Sequence, residues 1–121
     1  MYSEKIAENF SFPTHNGIID PCDLTLENKD PVCGDQVNIT ADIKDGSIVR
    51  ARFKAWGCAA SIASANIFCS WMEGKTVEEI IAADRETLAG ILGELRPEQR
   101  HCIDILHHLA SAVKQQVETV S

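Results

Sequence analysis

Two alternating runs that meet at Asp45-Gly46 constrain this chain more than any other feature. Val37, Ile39, Ala41 and Ile43 alternate with polar residues before the pair, and Val49, Ala51, Phe53 and Ala55 do so after it. Period-2 alternation marks a strand with one buried face, and Asp-Gly between two such runs is a favoured two-residue hairpin turn. The expected strands cover about 36–43 and 48–56. Asp45 and Gly46 straddle the midpoint of Cys33 and Cys58, so a hairpin folded there returns the two thiols side by side at its open end.

Gly57 breaks the return strand, and small residues from Ala59 to Ser64 then turn helical. Cys58 stands at the break, on the first turn of that helix. The partial positive charge and unpaired N–H groups of a helix start stabilise a thiolate. This is a place for a metal ligand or a nucleophile. The helix is expected to run to about Glu73, with Ile62, Ala65, Cys69 and Met72 at helical spacing and Gly74 as its stop. Cys69 on that face reads as a buried small hydrophobe.

The remaining elements follow from local signals. Ser3 caps a short helix over residues 2–9. From Asn9 to Pro31 the chain reads as irregular, punctuated by Pro13, Asn16-Gly17, Pro21 and Asp30-Pro31, with His15 and Cys22 as incidental loop residues. Thr76 and Glu79 form a capping box, and a further helix covers about 85–92. Pro97 suits the first turn of a long C-terminal helix on which Cys102, Leu106, Leu109, Val113 and Val117 share one stripe. His101 lies about 100° round that helix from Cys102. Arg50, Arg52 and Lys54 share the solvated side of the sheet, where an acidic partner is the alternative to water. The class is α+β: a small antiparallel sheet, its hairpin at about 36–56, packed against helices.

With 121 residues there is material for one domain, spanning 1–121. A formal net charge of −7 argues against a nucleic-acid surface and against an anionic membrane. Apolar stretches are interrupted well short of a membrane span. Met1-Tyr2-Ser3-Glu4-Lys5 lacks the basic region and apolar core of a signal peptide, so a cytoplasmic address is expected. Five cysteines, an odd number without an export signal, favour reduced thiols, metal or catalysis over a disulfide framework.

Cys33, Asp35, Cys58, His101 and Cys102 then make one set: three soft thiolates, a carboxylate and an imidazole. Such a set suits tetrahedral zinc and tetrahedral iron equally. The spacings are wide and no C-x-x-C occurs, which disfavours a structural zinc knuckle. For Asp35 the competing reading is a turn residue bonded to its own backbone after Gly34. For His101 it is a supporting or surface histidine.

These motifs resemble the U-type iron–sulfur cluster assembly scaffolds, the IscU/NifU N-terminal family. The resemblance is carried by Tyr2-Ser3-Glu4-Lys5, Pro31-Val32-Cys33-Gly34-Asp35, Arg52-Phe53-Lys54, Trp56-Gly57-Cys58, Ser61-Ile62-Ala63-Ser64, Trp71, Gly74-Lys75 and His101-Cys102. It implies a compact α+β scaffold that assembles a labile [2Fe-2S] cluster from iron and desulfurase-derived sulfur and passes it to apo iron–sulfur proteins. It further implies Cys33, Cys58 and Cys102 as cluster ligands, Asp35 as the weak fourth ligand with His101 as alternate, and Cys102 as persulfide acceptor from a cysteine desulfurase. Zinc is an alternative occupant of the isolated protein. A homodimer or homotrimer that shields the cluster is compatible with the resemblance. Leu95-Arg96-Pro97-Glu98-Gln99 departs from the family's Leu-Pro-Pro-Val-Lys motif, so recognition by the Hsp70-type chaperone is expected to be weak.

The scaffold is not an enzyme. The alternative is a zinc-bound sulfur acceptor partnering a cysteine desulfurase, which the lack of an insertion between Cys58 and Cys102 disfavours. A hydrolase or oxidoreductase built on His101 and Cys102 is disfavoured because adjacent helical side chains diverge.

Overall fold

The computed structural model describes residues 2–29 and 34–120. Its elements are α1 (Glu4–Ser11), β1 (Leu24–Lys29), β2 (Gln36–Lys44), β3 (Ser47–Trp56), α2 (Ala59–Met72), α3 (Val77–Ala82), α4 (Arg85–Leu92) and α5 (His101–Val120). The strands form one antiparallel sheet in the order β1-β2-β3, so the expected α+β class and long last helix are both present.

The hairpin turns where the sequence says it should. Asp45 and Gly46 have φ of 53° and 79°, and Lys44 faces Ser47 across the two-residue loop. Register runs from Gln36↔Trp56 to Asp42↔Arg50 and then shifts, so that Ile43 faces Ile48 and Val49 is the extra residue of a bulge. The expected inward placement of Val49 is therefore corrected: Val49 is exposed and Ile48 is buried in its stead. One inserted residue reverses the faces on its turn side.

The stretch read as irregular contains a strand. In β1, Leu24 and Leu26 are buried while Thr25 and Glu27 point out, and Leu24 pairs with Ala41. Short apolar alternation is present there, but the run is brief and lies between Pro21 and Pro31.

Helix α2 is buried on most of its circumference, because α1, α4, α5 and the sheet all pack on it. Its small residues, Ala60, Ala63, Ser64 and Ala65, allow that close approach. Phe53, Phe68, Leu106 and Leu109 fill the space between sheet and helices, each contributing roughly 1.5–3 kcal/mol by burial.

Both sheet edges are capped at particular residues. On β3, Gly74 N–H donates to the Ile48 carbonyl (2.8 Å), Ala51 N–H to the Glu73 carboxylate (3.0 Å) and Phe53 N–H to the His15 carbonyl (3.0 Å). On β1, Gln116 bonds both backbone groups of Thr25. Edge closure of this kind removes the template for unwanted strand pairing. The three cations of β3 are engaged as well, Arg50 with Asp42, Arg52 with Glu73 and Lys54 with the Asn16 side chain. Among the described residues, no helix is long and apolar enough to cross a membrane.

Candidate metal centre

Three element ends meet at the open end of the hairpin. Asp35 directly precedes β2, Cys58 is the N-cap of α2, and His101 is the first residue of α5. Pro97 does not open α5 as expected. It starts a separate 3-10 turn, Pro97–Gln99, in which the Gln99 side chain accepts from Arg96 N–H at 3.1 Å. The chain then restarts as an α-helix at His101.

Cys58 has the extended φ and ψ of a cap, −74° and 163°, and its Sγ accepts from the Ser61 N–H at 3.4 Å. The thiol thus sits one position earlier than a first-turn residue, with the helix N–H groups directed at it. It is exposed.

Asp35 is buried, at 5% exposure. Its Oδ2 accepts from the Ser61 hydroxyl at 2.7 Å and lies 3.1 Å from His101 Nε2. Gly57 makes room for it. A Cβ at Gly57 would fall 2.2 Å from Asp35 Oδ1, and Gly57 has a φ of 147° that side chains disfavour. The Gly57-Cys58 pair therefore does two jobs: the glycine admits the carboxylate and the cysteine caps the helix.

His101 completes the set. Its Nδ1 lies 3.1 Å from the Glu98 carbonyl, which only accepts, so Nδ1 carries the hydrogen. In a neutral ring Nε2 then offers a lone pair, directed at Asp35 Oδ2, at Ser61 Oγ (3.4 Å) and at Cys58 Sγ (3.8 Å). The ligand atoms of Asp35, Cys58 and His101 all lie within 4.8 Å of one another. Three acceptors facing one point call for a proton or a metal cation between them. One oxygen, one nitrogen and one sulfur suit zinc or iron.

Cys102 is placed differently. It is fully buried, and burial pushes its thiol up; hydrogen bonding by Ser64 opposes this, while the charges of Cys58 and Asp35 reinforce it. Adjacent positions on α5 thus send His101 to the site and Cys102 into the core beside it. Cys33 lies outside the described residues, and so does its expected meeting with Cys58. Cys69 is buried in α2, where burial and the nearby Glu73 raise its thiol far above the ordinary range, and Cys22 is half-buried beside Thr25.

Sequence reading missed Ser61, whose side chain and backbone reach Cys58, Asp35 and His101 together. The signal was available in the Cys58-x-x-Ser61 spacing, the N-cap to N3 distance of a capping interaction. It also missed the Glu98 carbonyl, which no side-chain pattern reveals.

The model of the NifU-like N terminal domain matches residues 1–119. The chain belongs to that family. It is 35% identical over 105 residues to the iron–sulfur cluster assembly scaffold protein IscU 1 of Archaeoglobus fulgidus, covering 87% of this chain and 69% of that one. It is 33% identical over 105 residues to the scaffold protein IscU of Escherichia coli, covering 84% of this chain and 81% of that one. The fold matches the crystal structure of a nitrogen-fixing NifU-like protein (N-terminal) from Brucella abortus, with a TM-score of 0.78 over 99% of this chain and 96% of that one, at 17% identity.

Proposed function

We propose that this chain is a single-domain scaffold on which an iron–sulfur cluster is built and from which it is handed on, the cluster being cargo. The observation that carries the reading is the convergence of Asp35, Cys58 and His101 at the hairpin's open end, with the His101 lone pair turned inward by the Glu98 carbonyl. Membership of a family whose named relatives are scaffold proteins supports it.

On this reading Cys33, Cys58 and Cys102 hold a [2Fe-2S] cluster, and Asp35 or His101 supplies the fourth ligand. A carboxylate oxygen is a weak partner for a soft iron–sulfide centre, so Asp35 is the corner at which an acceptor's thiolate enters. Sulfur arrives from a cysteine desulfurase. A scaffold thiolate attacks the outer sulfur of the donor's persulfide, and the donor thiolate leaves. The exposed, helix-capping Cys58 is better placed for that attack in this conformation than the buried Cys102, which needs the site to open first. Zinc competes for the same donors. Within 95–99, Pro97–Gln99 is wound into a 3-10 turn and the Arg96 and Glu98 side chains are paired, which supports weak docking to an Hsp70-type chaperone.

The test is anaerobic reconstitution with iron and sulfide, followed by transfer to an apo-ferredoxin. We expect about two iron and two sulfide per site, lost in each of Cys33→Ser, Cys58→Ser and Cys102→Ser and kept in Cys22→Ser and Cys69→Ser. Asp35→Cys should retain its cluster and transfer it at least tenfold more slowly. Transfer by Asp35→Cys at the wild-type rate would refute the weak-corner role.

A further inference from the structure

Ser61 is buried at 1% exposure on the first turn of α2, yet its hydroxyl faces the candidate metal centre rather than the helix backbone. The next serine on the helix behaves in the ordinary way, Ser64 donating to the Ala60 carbonyl at 2.7 Å. Ser61 instead donates to Asp35 Oδ2 at 2.7 Å, and its Oγ lies 3.1 Å from Cys58 Sγ and 3.4 Å from His101 Nε2. Its backbone N–H serves Cys58 at the same time.

The direction of the short bond is fixed by chemistry. An ionised carboxylate accepts only, and a hydroxyl has one hydrogen, so that hydrogen goes to Asp35. Asp35 lies ahead of β2, on a backbone made free by Gly34 (φ 77°), and among the described residues Ser61 is its one hydroxyl donor. Without Ser61 the carboxylate keeps only the His101 contact, from a ring that must turn its lone pair to a metal when one binds.

We infer that Ser61 is a positioning residue, whose hydroxyl aims the Asp35 carboxylate at the point where Cys58 and His101 meet. The inference rests on the proposed reading that Asp35 is a ligand. It goes further by naming what holds that ligand in place: one side chain that ties the end of the hairpin to the start of α2. Hydrogen-bonding partners of this kind fix ligand orientation, and their loss costs about 10–100-fold in metal affinity.

The experiment uses the full apo chain and Co2+ alone, titrated without oxygen against a competing chelator, with thermal unfolding recorded in parallel. Four proteins are compared: wild type, Ser61→Ala, Asp35→Ala and the double variant. Expected is a loss of about tenfold or more in Co2+ affinity for Ser61→Ala, falling to about twofold or less when Asp35 is already alanine. The visible Co2+ spectrum of Ser61→Ala should shift toward that of Asp35→Ala, because both lose the same oxygen. A role confined to helix packing predicts an equal loss in both backgrounds and an unshifted spectrum, and that result overturns the inference. Unchanged affinity in Ser61→Ala overturns it too, leaving Asp35 as a ligand if Asp35→Ala weakens binding. A silent Asp35→Ala overturns both the inference and the ligand reading beneath it.

Discussion

Gly57→Ala should damage this protein through Asp35, and the size of the damage can be worked from the geometry. The new Cβ would stand 2.2 Å from Asp35 Oδ1 and 2.8 Å from Asp35 Cγ, neither of which real Cβ atoms tolerate. The backbone of Gly57, at φ 147°, adds a strain of order 1–3 kcal/mol for any side chain. Relief of the clash requires the carboxylate to withdraw, which breaks the Ser61–Asp35 hydrogen bond and costs a further ~1.5–3 kcal/mol. The sum is about 2.5–6 kcal/mol. For 121 residues the unfolding entropy makes 1 kcal/mol worth about 4 °C, so Tm should fall by roughly 10–24 °C. In an Asp35→Ala background only the backbone strain remains, and the same substitution should cost about 4–12 °C. Thermal unfolding of the four apo proteins, followed by circular dichroism, gives the coupling directly. Equal costs with and without the Asp35 side chain would show that the glycine is there for the backbone alone and that the close approach to Asp35 carries no weight.

Two further predictions concern groups away from that contact. Among the described cysteines, iodoacetamide applied to the reduced apo protein should label Cys58 first and Cys22 more slowly, while Cys69 and Cys102 react only on unfolding, as peptide mass mapping would reveal; labelling of Cys102 at the rate of Cys58 contradicts its burial. Burial opposes ionisation of Glu73, but bonds from His15 (2.7 Å), the Ala51 N–H and Arg52 outweigh it and hold its carboxyl below the usual range. Its folded pKa is depressed, so its contribution is complete above the unfolded value of about 4.3 and fades as pH falls through the folded one. Glu73→Gln should lower the urea midpoint at pH 7 and flatten its decline on the acid side, and midpoint curves parallel to wild type would exclude this role.

What could be read in the chain was what is written locally. Asp45-Gly46 announces its turn because both residues adopt positive φ cheaply, and Cys58 after Gly57 announces a helix start. The stripe from Cys102 to Val113 is buried as its spacing requires. What could not be read depends on register or on distant backbone. Val49 exchanges places with Ile48 because a bulge adds one residue, and alternation on a single strand cannot reveal where its partner slips. β1 was hidden by its length and by the prolines around it. Glu73 seemed only to end α2, yet it closes the edge of β3 and receives His15 from the loop before β1. At the site the residue types were legible, but the carboxylate's closeness to Gly57 was not, since that contact spans 22 positions of sequence between two element ends (57 − 35).

The location of the three donors bears on what the centre does. Asp35, Cys58 and His101 each stand at the end of an element, and none belongs to the apolar cluster between sheet and helices. The core keeps β2, α2 and α5 in place, and the three side chains stand at their ends. Cys58 and His101 both lie at helix starts, where the partial positive charge favours a thiolate and an anionic cluster alike. Cys102 breaks the pattern, because it belongs to the core as well as to the proposed ligand set. Its thiol feels the Ser61 hydroxyl and the charges of Cys58 and Asp35, so it borders the site from the core side. On the scaffold reading, then, Cys102 is the proposed ligand tied to the packing, while Asp35 and His101 stand at element ends outside the apolar cluster. On that reading a cluster so held is released by loosening Asp35 or His101 while Cys102 is still engaged, which orders the steps of transfer: the acceptor's thiolate enters at the weak corner, and the buried cysteine lets go last.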